Sequence, residues 1–92
     1  MTSGIAEEVH PEIVLLLWNV IDRLKEKRVE LDYLQVFELS VRNGEQIIIH
    51  RQEQPPFKEQ LIVKWQETKP ITNTIWCIDN GEGQMMLFPV EY

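Results

Sequence analysis

Two histidines, one cysteine and a scatter of carboxylates are the groups in this chain most capable of chemistry. A metal site needs several His, Cys or carboxylate ligands at close spacing. His10, His50 and Cys77 lie on three separate stretches with no paired spacing, so no metal and no cofactor is expected. His50 reads as a cross-strand partner of Phe37, and His10 as the residue leading into a helix. A Cys77–His50 nucleophile pair is formally available. A reactive thiol, however, wants an electropositive and partly exposed setting. Cys77 instead stands between Trp76 and Ile78 with Asp79 close behind, which suits a small buried hydrophobe. Glu7 and Glu8 are sequential neighbours close to Met1, where solvent screens them and no burial separates their titrations. Gly81 and Gly83 lie between two strand-like runs, so no helix N-terminus follows to cradle a phosphate. No catalytic residues are assigned and the chain is not expected to be an enzyme. An enzyme of unrecognised type is kept as the third reading.

The aromatic set carries more promise. Trp18 falls on a helical stretch, Trp65 and Trp76 on strand-like stretches, and Tyr92 at the end of the last one. Core packing accounts for much of this content, but aromatic residues also dominate interface hot spots. Trp18, Trp65, Trp76 and Tyr92 are therefore the candidate interaction surface, and the C-terminal strand is a candidate edge for pairing.

Charge is unevenly placed. The net charge is −6, yet residues 13–69 hold nine acids and nine bases and sum to zero. Glu7, Glu8 and Glu12 lie before that span, and Asp79, Glu82 and Glu91 after it, with no Lys or Arg beyond Lys69. Clustered cations are what a phosphate backbone needs, so direct nucleic-acid binding is not expected. The basic stretch Arg23–Arg28 is interleaved with Asp22, Glu26 and Glu30, which largely cancels its field.

Ninety-two residues suffice for one domain with a thin core. A single cysteine and the lack of a basic-then-apolar leader point to a reducing, cytoplasmic setting. The longest apolar run, Ile13–Trp18, is far short of the ~20 residues that cross a bilayer.

These side chains need elements to hold them. Ile13, Leu16, Leu17, Val20, Ile21 and Leu24 recur at helical spacing, and Pro11 suits a first helical position, predicting a helix over about 11–27. Val14, Leu15 and Trp18 widen its apolar surface, so it either lies deep or offers a second face. Asn43-Gly44 between apolar, β-prone runs predicts a two-residue hairpin pairing Arg42 with Glu45, Leu39 with Ile48 and Phe37 with His50. One face then holds Phe37, Leu39, Val41 and Ile48, the other Leu34, Val36, Ile47 and Ile49. Pro55-Pro56 reads as loop, Leu61–Trp65 as a third strand, and Ile71–Asp79 with Gln84–Tyr92 as a second hairpin around Asn80-Gly81. Pro89 should mark an edge or bulge. The expectation is a single α+β domain over 1–92. One N-terminal amphipathic helix packs on an antiparallel sheet of about five strands, and residues 1–8 are flexible or a short edge segment.

Several strings form a familiar set: Glu7-Glu8-Val9-His10-Pro11-Glu12, Leu15-Leu16-Leu17-Trp18, Leu31–Leu39, Gln52-Glu53-Gln54-Pro55 and Ile75–Gly81. Together they resemble a family of small Gram-positive bacterial proteins, the domain of unknown function numbered nine hundred and sixty. The resemblance spans nearly the whole chain and implies the same fold. It implies no activity and no site residues, and some members are carried on mobile genetic elements. The leading expectation is a non-enzymatic protein-interaction module, binding a protein partner or itself through an apolar patch or sheet edge with acidic surroundings. The second is an acidic mimic that occupies the nucleic-acid groove of a DNA-handling protein.

Overall fold

The computed structural model describes residues 2–92. Two helices precede five strands: α1 over Ser3–Glu8 and α2 over Pro11–Glu26, then β1 (Leu34–Arg42), β2 (Glu45–Gln52), β3 (Phe57–Val63), β4 (Asn73–Asp79) and β5 (Gln84–Leu87). A 3-10 turn over Pro89–Glu91 follows. The fold is α+β, with every strand pair antiparallel in the order β3-β2-β1-β4-β5.

Helix α2 starts where its signals place it. Pro11 takes the first position, where a missing N–H costs nothing, and the His10 ring Nδ1 accepts the Glu12 N–H at 3.0 Å. It ends by the left-handed route. Arg28 takes φ 59° and the Val29 N–H reaches back to the Leu24 carbonyl at 3.0 Å. Ile13, Leu17, Ile21 and Leu24 face the sheet and are buried. Ile13, Leu17 and Ile21 meet Phe37 and Leu39 of β1, Ile48 of β2, Ile75 and Cys77 of β4 and Met86 of β5 in one core. Each fully buried aliphatic side chain there stabilises the fold by about 1.5–3 kcal/mol.

The β1–β2 register matches the expected one, with Arg42 opposite Glu45, Leu39 opposite Ile48 and Phe37 opposite His50. Asn43 (φ 52°) and Gly44 (φ 77°) form the two-residue turn, the backbone state that Asn-Gly adopts readily. The second Asn-Gly turn differs. Asp79 pairs with Gln84, and Asn80 has no positive φ, so the chain crosses in a four-residue loop. There the Asn80 side chain accepts the N–H groups of Glu82 and Gly83, each at 3.0 Å.

Three boundaries depart from expectation. Strand β3 begins at Phe57, directly after the proline pair, because that pair sits in a tight turn that brings Phe57 opposite Gln52. Trp65 therefore falls outside the strand. The final strand ends at Leu87, because Pro89 opens a 3-10 turn instead of marking an edge or bulge. Residues expected to be flexible or an edge segment contain helix α1, from Ser3 to Glu8, with Met1 outside the described residues. The N-terminal segment docks beside β5, where the Thr2 N–H donates to the Met86 carbonyl at 3.0 Å. That bond occupies part of the edge proposed for pairing, since an edge strand recruits partners through unpaired backbone groups.

Both helices contribute to the core on one face of the sheet. The opposite face carries Val36, Ile47, Ile49, Trp76, Ile78 and Leu87, and neither α1 nor α2 covers it. Val36, Ile47 and Leu87 are nonetheless buried, and the C-terminal turn brings Tyr92 against Trp76.

Candidate functional site

The groups with chemical capacity are kept apart. His50 on β2 and Cys77 on β4 share the core face but are separated by β1, two strand spacings or about 10 Å. No proton can pass directly between them. Burial pushes the Cys77 thiol up to about 12, with Lys25 opposing weakly, so the nucleophilic thiolate is suppressed. His10 sits at the start of α2, remote in sequence and element from both. No group of three His, Cys, Asp or Glu converges among the described residues.

His50 is nevertheless unusual. It is completely buried, stacked on Phe37 at 4.5 Å and met edge-on by Phe57 at 5.6 Å. Its Nε2 lies 2.6 Å from Gln35 Oε1. Gln35 donates through Nε2 to Gln52 Oε1 at 2.7 Å and to the Asp32 carbonyl at 2.9 Å. Gln52 donates onward to the Glu30 and Pro55 carbonyls, each at 2.9 Å. With both glutamine nitrogens committed as donors, Gln35 Oε1 must accept, so His50 carries its proton on Nε2. Desolvation lowers its pKa from 6.5 to about 4, and its Nδ1 has no partner. The chain of amides ties the α2–β1 linker and the β2–β3 turn to the core. It is a structural strut closed to substrate.

The candidate interaction residues fall into two places. Trp18 lies on the flank of α2 facing α1. There it lines an apolar groove of about 390 Å³ with Ala6, Val9, Pro11, Val14 and Leu15. Leu15, 61% exposed, is the helix's second apolar face. Exposed acids Glu7, Glu8 and Glu12 stand on the two helices that form the groove. Trp76 is on the open sheet face, where Tyr92 (81% exposed) approaches it edge-on at 5.8 Å. Trp65 joins neither surface. It packs half-buried against the core, and its Nε1–H reaches Gln46 Oε1 at 3.5 Å. Gln46 is buried, and it also accepts the Ile71 N–H and donates to the Ile71 carbonyl, both at 2.9 Å.

The two ends of the described chain meet in space, a fact no sequence pattern carried. Glu91 accepts the Thr2 hydroxyl at 2.7 Å and the Phe88 N–H at 2.9 Å. Together with a bond from the Gly4 N–H, these hold its carboxyl below the usual carboxylate range. Gly4 lies close against Glu91, and a larger residue there would push that flexible side chain aside. A Cβ there would stand 2.7 Å from the Glu91 carboxylate.

Comparison with known proteins places this architecture. Residues 1–91 match the family described as "Staphylococcal protein of unknown function (DUF960)". The chain belongs to that family. Among solved structures it is similar to a protein of unknown function from Enterococcus faecalis. The two share 20% identity and a TM-score of 0.86, over 99% of this chain and 86% of the other. At that identity the likeness is one of fold. No curated protein matches. No helix among the described residues is long and apolar enough to cross a membrane.

Proposed function

We propose that this member of the DUF960 family is a non-enzymatic protein-interaction module whose contact surface is the groove between α1 and α2. The observation that carries the reading is Leu15. A leucine 61% exposed beside the half-buried Trp18, at the mouth of an apolar groove, is surface that folding alone leaves unsatisfied. An aromatic wall and an aliphatic lip give an anchor side chain a desolvated seat, the arrangement that concentrates binding energy. Glu7, Glu8 and Glu12 suit a partner segment whose apolar anchor is flanked by Lys or Arg.

The test is affinity capture from native lysate with nuclease present, comparing the wild-type chain with Leu15→Lys. A stoichiometric partner held by wild type and lost with Leu15→Lys supports the groove. A partner held equally by both, or by neither, removes it.

A second reading, the acidic mimic of nucleic acid, draws on the Thr2–Glu91 bond that brings together the two ends carrying the net negative charge. It requires a DNA-binding partner whose capture weakens steeply with salt. Salt-insensitive capture ends that reading and leaves the first intact.

A further inference from the structure

We propose that the open face of the sheet is the interface between two copies of this chain, an association separate from partner binding in the α1–α2 groove. The strand register puts Ile47, Ile49, Ile62, Trp76, Ile78 and Met85 on the face that neither helix covers. Ile62 is 59% exposed and Met85 46%, one at each side of the sheet, so the apolar surface reaches from one edge strand to the other. A sheet with a single helical layer leaves such a face wet unless another layer arrives.

Area and charge both select a second copy. Strands about 4.8 Å apart with about 3.3 Å per residue give this face roughly 550 Å² in projection. Two such faces in full contact bury at most about 1,100 Å² in projection, close to the ~1,000 Å² expected of a biological interface. Val36, Ile47 and Leu87 are already buried within each copy, so the contact rests on Ile49, Ile62, Trp76, Ile78 and Met85. The charged residues on the face are Glu38, Glu45, Arg42, Arg51 and Lys58, two acids against three bases. Glu38 is already neutralised by Arg51 at 2.9 Å near the middle of the face. The strands of this face therefore carry none of the chain's acidic excess, and Glu91 borders it from the C-terminal turn. Pairing face to face joins two nearly balanced surfaces, with Glu91 and Tyr92 at the border of each beside Ile78, Met85 and Leu87. A two-fold axis lying in the interface uses the same patch on both copies, so each contact of one residue with another is repeated in reverse. A strongly basic or acidic partner finds no matching field there.

The experiment is sedimentation equilibrium on the purified full chain from about 1 to 300 µM, repeated with the double variant Ile62→Lys/Met85→Lys. Both positions are open in the single copy, so the substitutions do not disturb the core. The expected result is twice the monomer mass for wild type and the monomer mass for the variant. Leu15→Lys, in the groove, is expected to leave the wild-type dimer intact, so failure of the groove and failure of this interface are read separately. A wild-type chain that stays monomeric to 300 µM overturns the interface, as does a dimer that survives both lysines. Methyl NOEs between labelled and unlabelled copies supply a reading that needs no variant. Cross-peaks at Ile62 and Met85 are expected, and their absence in a dimer places the interface elsewhere and overturns the assignment.

Discussion

A histidine sealed between two phenylalanine rings, with its only polar contact a glutamine carbonyl, is costly to protonate. Unfolded, His50 takes up a proton near pH 6.5, whereas folded it resists to about 4. The unfolded chain therefore binds the extra proton first, and stability falls as pH drops from about 6.5 towards 4. It is fully present above that window. At about 1.4 kcal/mol per pKa unit, the loss across the window is on the order of 3 kcal/mol. Urea titrations at pH 7.5 and 4.5 measure it. The His50→Phe variant is expected to flatten the slope while being less stable at pH 7.5, because Gln35 Oε1 then loses its donor. An equal slope in both proteins would assign the acid sensitivity to the carboxylates. This residue's cross-strand pairing with Phe37 was legible from the Asn-Gly turn. Its amide chain was not, since Gln35 and Gln52 look like ordinary strand polar residues until the register brings them together.

At the level of elements, α1 is the least self-sufficient part of the molecule. Six residues are too few to form a helix alone, and this one is held from outside by Glu91, Thr2 and the Val9 and Ile5 side chains in the core. The Glu91→Ala variant is expected to speed hydrogen exchange of the Ile5, Ala6 and Val9 amides several-fold while leaving β1 and β2 amides unchanged. Uniform acceleration across the sheet would instead mean that α1 and the sheet open as one unit. The dependence of α1 on contacts 89 residues away explains why it was invisible in the sequence. Helix α2 and the first hairpin, by contrast, write their own periodicity and turn chemistry into consecutive residues. Strand β3, expected over Leu61–Trp65, runs over Phe57–Val63, and the Trp65 indole packs against the core beyond it. The groove was half legible. Leu15 and Trp18 showed as a second face on α2, but the wall built by Ala6 and Val9 required α1.

For the whole molecule, the strand order decides what is free. Placing β1 at the centre with β2 and β4 on either side buries the alternating apolar residues of the core on one face and exports Trp76, Ile78 and Met85 to the other. The alternation of each strand was readable, but which faces align across five strands depends on order, which sequence spacing leaves open. The groove and the open face are thus products of assembly at different scales, one between two helices and one across all five strands. The meeting of Thr2 and Glu91 has a further consequence for this topology. A short linker joining the two ends would reconnect the chain without stretching it, and new termini could be cut in the exposed Asn80–Gly83 loop. Such a circular permutant is expected to keep the far-UV spectrum of the parent and melt within several degrees of it. Its β5 would then precede α1 along the chain, so the last strand of the parent fold becomes the first element of the permutant.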